Sequence, residues 1–124
     1  MGAGADWTAQ VRRGVLELCV LGLIREAPAY GYDLASRLAG WEALAANEGT
    51  LYPLLHRLQK EGLVEASWQA SDAGPVRKYY RLTDTGAHWL DHMQAQWRQL
   101  AASVTELLER GADAGGSDGR ALPT

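Results

Sequence analysis

Residues 47–64 read NEGTLYPLLHRLQKEGLV, and the reading of this stretch decides the fold. Leu51, Leu54, Leu55 and Leu58 fall on one stripe of a helix turning by about 100° per residue. Tyr52, Pro53, His56, Arg57 and Lys60 share the broad opposite face, which carries no large aliphatic side chain. Gly62 suits the C′ position at which a helix ends. The beginning is crowded, and two starts are open. If Asn47 is the N-cap, Pro53 meets the Gly49 carbonyl; if Thr50 is the N-cap, Pro53 falls harmlessly in the first turn. In both cases Gly49 lets backbone come close to a phosphate, and a helix N-terminus favours anions. Leucines inside and Tyr, His, Arg and Lys outside suit the DNA major groove, which admits a helix and displays acceptors at guanine. A plain solvated face is the competing account of the same residues.

Beyond Gly62 the period changes. Leu63 to Trp68 fits a strand, Ser71-Asp72-Ala73-Gly74-Pro75 is a run of turn formers, and Arg77 to Thr83 is β-rich. The two runs form a hairpin, with Arg77 and Lys78 just past its turn, where a wing tip meets a phosphate backbone. One of Tyr79 and Tyr80 packs beneath the wing and the other faces outward.

Upstream, Gln10 to Arg25 contains VLELCVLGLI, apolar on nearly every side and too short to span a bilayer, so it forms a buried or interfacial helix. Pro28 ends it, Ala29-Tyr30-Gly31-Tyr32 makes a turn, and Asp33 to Leu38 is a short second helix closed by Gly40. Ala43 to Ala46 is a small-residue connector. Thr83 or Asp84 caps a last helix reaching about Arg110. The order helix, helix, helix, hairpin, long helix is a mainly α chain organised as a winged helix-turn-helix with a two-stranded wing. Its divisions are a flexible N-terminus over 1–9, the winged domain over 10–83, a dimerisation helix over 84–110 and a disordered Gly/Ala/Asp-rich tail over 111–124.

Charge restricts the partners. The net charge of −3 argues against general polyanion binding. Residues 1–46 hold four Arg against five acids and residues 84–124 three Arg against six, whereas 47–83 hold five cations against four acids. Any contact with nucleic acid would therefore have to be local, in the one part of the chain with a positive balance.

GTLYPLLHRLQKEGLV at 49–64, followed by GPVRKYYRLTDTG at 74–86, resembles the PadR family of bacterial transcriptional regulators, and AYGYDLASRL at 29–38 resembles the start of that family's second helix. The likeness covers about residues 10–110, and the single long C-terminal helix is similar to the family's smaller subgroup. The resemblance implies a winged-helix DNA-binding domain, a homodimer on double-stranded DNA, and repression of a nearby operon relieved by a small hydrophobic or phenolic compound. By position it implies a DNA surface of Tyr30, Tyr32, Thr50, Tyr52, His56, Arg57 and Lys60, with Arg77 and Lys78 from the wing. Arg57, Lys60, Arg77 and Lys78 are assigned mainly to phosphates, Tyr52 and His56 to bases or sugars. Pro75-Val76 stands where relatives are often more basic, which weakens the expected wing contact.

The last helix argues for a dimer independently. Gly86, Leu90, Met93, Trp97, Leu100, Val104 and Leu107 alternate spacings of four and three, an a/d seam. Such a stripe needs a partner helix, the apolar first helix of the same chain, or an exchange of helices that satisfies both. A two-fold dimer places two reading helices about 34 Å apart, facing a palindromic operator. Trp97 would meet its own copy there, and two indole faces with a gap suit a planar apolar effector, with Met93, Leu18 and Val15 lining the same space.

Other chemistry is set aside. His88 and His92 lie at i, i+4 with no third ligand evident, and Cys19 reads as a small buried hydrophobe. A single cysteine forms no internal disulfide and fits a reducing cytoplasm. Neither signal peptide, membrane span, cofactor motif nor catalytic pair is expected. The alternative in a different class is a winged-helix protein-interaction module without specific DNA binding.

Overall fold

A computed structural model describes residues 3–71 and 74–118. The chain divides into two compact units, the first ending at Asp91 and the second beginning at His92. In the first, helix α1 (Ala3–Glu26) leads through the two-residue strand β1 (Ala29–Tyr30) into α2 (Gly31–Leu38). A 3-10 turn over Glu42–Leu44 precedes α3 (Glu48–Lys60), strands β2 (Val64–Ser71) and β3 (Gly74–Leu82), and the start of α4 (Asp84–Asp118). The result is a winged helix-turn-helix, as expected.

The start of α3 is resolved in favour of Asn47. Its extended backbone and its side-chain oxygen, which accepts the Thr50 N–H at 2.9 Å, make it the N-cap. Pro53 therefore lies inside the helix. The bond it cannot donate would have gone to the carbonyl of Gly49, an exposed residue in the first turn. At the other end Gly62, at φ 77°, donates to Gln59 while Leu63 donates to Leu58 at 2.9 Å. That pair of bonds is the Schellman arrangement, and it needs a left-handed residue where glycine stands.

Leu51, Leu55 and Leu58 are fully buried, in a core that also takes Leu16, Val20, Leu21 and Ile24 of α1 and Leu34 and Leu38 of α2. Leu54 is only half-buried. Tyr80 is buried and Tyr79 half-exposed, as the alternation along β3 requires.

Several boundaries differ from the sequence expectation. The turn expected at Ala29-Tyr30 is a third strand, paired antiparallel with Tyr79-Tyr80, and β3 lies between β1 and β2. α2 begins at Gly31, two residues before Asp33. α1 starts at Ala3, so the segment expected to be flexible over 1–9 is helical from there; Met1 and Gly2 lie outside the described residues. α4 runs to Asp118 rather than Arg110, so the tail expected to be disordered is helical over 111–118, and 119–124 lie outside the described residues.

The unit boundary falls inside α4 because its first turns belong to the winged core. Thr83 caps the helix: its hydroxyl donates to the Gly62 carbonyl at 2.6 Å and accepts the Gly86 N–H at 2.9 Å. Gly86 is buried and Leu90 is 1% exposed, so Leu90 is a core residue of the single chain and leaves the expected dimer seam. In the second unit, Trp97, Leu100, Val104, Leu107 and Leu108 are exposed.

Candidate nucleic-acid interface

Antiparallel pairing sets the wing. Trp68 of β2 stands opposite Lys78 of β3, and Gln69 opposite Arg77, before the register shifts between Gln69 and Ser71. Side chains directly opposite on one face lie within contact range. The Lys78 ammonium accordingly sits 6.0 Å from the Trp68 ring centre and 5.6 Å from that of Tyr80. Arg77 reaches the other way. It donates to the Tyr30 hydroxyl at 2.6 Å, and its guanidinium carbon lies 4.4 Å from the Tyr30 ring centre. Tyr30 in turn meets Tyr79 edge-on at 5.2 Å. Both wing cations are thus held over aromatic faces, which orients them and keeps their charge at the surface.

Tyr52 extends from α3 over the start of α2. Its ring passes over Gly31, so closely that a β-carbon there would lie 2.6 Å from Tyr52 Cε1. Its hydroxyl donates to Glu48 Oε1 at 2.7 Å. That bond to a carboxylate holds the phenol above its usual pKa, with partial burial adding in the same direction, so Tyr52 stays a neutral donor.

Between these walls runs an open groove of about 450 Å³. Tyr52 and His56 of α3 line one side, and Tyr30 and Gly31 its end. Trp68, Val76, Arg77, Lys78 and Tyr80 line the wing side. Five residues singled out from the sequence, Tyr30, Tyr52, His56, Arg77 and Lys78, therefore meet in one groove. Tyr32 is 59% exposed in the first turn of α2, and Lys60 is exposed in the last turn of α3. Thr50 lies elsewhere, lining a smaller hollow with Arg12 and Arg13 of α1. Trp68, 69% exposed, was missed. Its residue type was visible, but strand alternation alone does not say which face a wing leaves open.

Arg57 departs from its expected place. It turns toward α1, where Nη2 pairs with Glu17 at 2.6 Å while Nη1 reaches Glu61 at 3.2 Å. The hydrogen bond to Glu17, aided by that to Glu61 and opposed by burial, pushes the guanidinium pKa up, so this cation is already paired within the chain.

Among the described residues, no group of three or more His, Cys, Asp or Glu is placed to hold a metal. His88 Nδ1 lies 2.9 Å from the Asp84 carbonyl of its own helix. No described helix is long and apolar enough to cross a membrane. Val15 and Leu18 are half-buried on α1, and Met93 is half-buried on α4.

A helix presented beside a cationic, aromatic wing defines the chain as a winged helix-turn-helix protein. It belongs to the PadR-like family of transcriptional regulators: residues 20–92 match that family. The chain is 30% identical over 95 residues to a transcriptional regulator of Mycobacterium tuberculosis, covering 77% of this chain and 87% of that one. It resembles the crystal structure of a PadR-like transcriptional regulator from Bacillus cereus, with TM-score 0.74 and 41% identity over 80% of this chain and 96% of that one. A PadR family transcriptional regulator from Eggerthella lenta is similar to the same degree, with TM-score 0.75 and 41% identity over 85% and 91% of the two chains. Membership makes the chain a transcriptional regulator and not an enzyme.

Proposed function

We propose that the chain is a homodimeric repressor that binds a palindromic operator, α3 entering the major groove while the wing follows the adjacent backbone. The observation that carries this reading is the groove shared by α3 and the wing, with two oriented cations on one wall and Tyr52 and His56 on the other. Arg77, Lys78 and Lys60 are assigned to phosphates, Tyr52 and His56 to base or sugar edges, and Tyr32 and Thr50 to the flanks. Trp68 and Val76 add an apolar wing surface that compensates for a tip poor in charge.

The exposed stripe of Trp97, Leu100, Val104 and Leu107 supports pairing through α4, because a row of large apolar side chains facing water is unfavourable in an isolated chain. Met93 and Trp97 would meet their copies near the two-fold axis, and a planar hydrophobic effector between the Trp97 rings would alter the spacing of the reading helices.

The test is titration of the full chain against duplexes selected from a random pool, with a scrambled competitor, at two salt concentrations. Competitor-resistant binding of a palindrome by a dimer is expected. Binding that scrambled duplexes match at every salt would instead favour a protein-interaction module.

A further inference from the structure

Three helices of the winged unit meet at one carboxylate. Glu17, on α1, accepts the Arg57 Nη2–H from α3 at 2.6 Å through one oxygen. Its other oxygen accepts the Trp89 indole N–H from α4 at 2.9 Å. The Glu17 side chain is 17% exposed against 47% for Arg57, so the acid is the enclosed member of the pair. Its two oxygens point to different elements, and neither bond is a local i, i+4 contact.

The guanidinium is a planar fork whose direction is fixed only when several of its donors are engaged. Arg57 places Nη2 on Glu17 and shares Nη1 between both Glu61 oxygens, each at 3.2 Å. It is thereby aimed along the α1-facing flank of α3, while Tyr52 and His56 occupy the flank that lines the wing groove. Trp89 lies in the early part of α4, which continues as one helix to Asp118.

We propose that Glu17 is a positioning residue: by holding Arg57 and Trp89 together it sets the seat of the reading helix α3 on α1 and ties that seat to the start of α4, so that Arg57 serves this linkage and not a phosphate. The inference rests on α3 being the reading helix. It also gives events along α4 a route to α3 that passes through no DNA-contacting residue.

Chemistry supplies clean variants. Glu17→Gln keeps the size but offers one carbonyl oxygen, so its amide N–H₂ confronts one of the two donors. Trp89→Phe keeps a ring and removes the indole N–H. Arg57→Leu removes the guanidinium and keeps the stem's bulk.

The chain's five tryptophans give five indole N–H resonances in a nitrogen-15 correlation spectrum, and Trp89→Phe identifies the one to follow. Arg57→Leu and Glu17→Gln are each expected to shift the Trp89 resonance, because both bonds share one carboxylate. Both variants are expected to lose several-fold in preference for the selected duplex over the scrambled one, with an unchanged salt slope. A salt slope lower by about one in Arg57→Leu would mark a phosphate contact and overturn the proposal. A Trp89 resonance indifferent to both changes would overturn it equally. If the wild-type chain prefers no duplex, the DNA reading itself fails; the resonance shifts then decide the three-helix linkage alone.

Discussion

Gly86 lies against the backbone of Leu63: a β-carbon added there would stand 2.9 Å from the Leu63 carbonyl carbon and closer still to its oxygen. The obstacle is backbone, and the same Leu63 oxygen also accepts the Thr83 N–H at 3.1 Å. The Leu82 Cδ1 atom, also 2.9 Å away, can swing aside, but the Leu63 carbonyl cannot. Gly86→Ala should therefore destabilise the fold by about 1–3 kcal/mol, the usual range for forced overpacking. Thermal unfolding would read this as a loss of roughly 4–8 °C per kcal/mol for a domain this small. A melting temperature within a degree of wild type would show that the helix start has room that the structure denies it.

Gly31 offers the contrasting case. Its added β-carbon would also be too close, at 2.6 Å, but to Cε1 of the Tyr52 ring, and that ring is 48% exposed. A ring at the surface can rotate away cheaply. Gly31→Ala is expected to leave stability within about 0.5 kcal/mol of wild type. Duplex affinity should fall, because Tyr52 no longer borders the wing groove. Unchanged affinity with a displaced Tyr52 would remove that residue from the interface.

Helix α3 was legible in the sequence because what makes it is local. The Asn47 cap, the leucine stripe and Gly62 lie within one short stretch, although Pro53 left two starts open until the Asn47 to Thr50 bond fixed one. β1 was not legible. Two residues have no strand period of their own, and Ala29-Tyr30 is extended only because Tyr79-Tyr80 pairs with it. Arg57 shows the same limit within the candidate site. Its bond to Glu61 is an i, i+4 contact that spacing anticipates, whereas Glu17 is forty residues away and only the fold brings it close. The glycines beyond Gly111 disfavour helix by intrinsic propensity, yet α4 continues to Asp118.

Trp68 is exposed on the wing, and its cross-strand partner is Lys78. Removing an exposed ring costs the fold little, about 0.2–1 kcal/mol for a cross-strand pair. If the wing lies against the sugar-phosphate backbone, Trp68→Ala should cost roughly 1 kcal/mol of duplex affinity, about fivefold. Stability and affinity measured on one preparation separate the two effects. A full loss of folding with Trp68→Ala would contradict its exposure.

Cys19 is half-buried, and burial raises its thiol pKa. The folded chain therefore holds the proton more tightly than the unfolded one. Any stability this gives is present below the ordinary thiol range and is lost as pH rises through the raised value. Near neutral pH little thiolate forms, so a disulfide reagent should modify native Cys19 more slowly than a free peptide thiol and reach the peptide rate on denaturation. Equal rates before and after unfolding would show an open, reactive thiol.

Leu90 and Leu100 share one heptad spacing in the sequence but lie in different environments, 1% and 59% exposed. A charge at Leu90 would sit in the core of the winged unit, where an unpaired carboxylate is costly. Leu90→Glu is therefore expected to abolish cooperative folding. A charge at Leu100 would meet water in the single chain and another copy of itself in a dimer, where like charges face each other across the seam. Leu100→Glu should leave a folded chain with native helix content, shifted from dimer to monomer in sedimentation equilibrium, and with weakened affinity for a palindromic duplex. A Leu100→Glu variant that remains dimeric at micromolar concentration would place the partner contact on some other face and detach Trp97 from the two-fold axis.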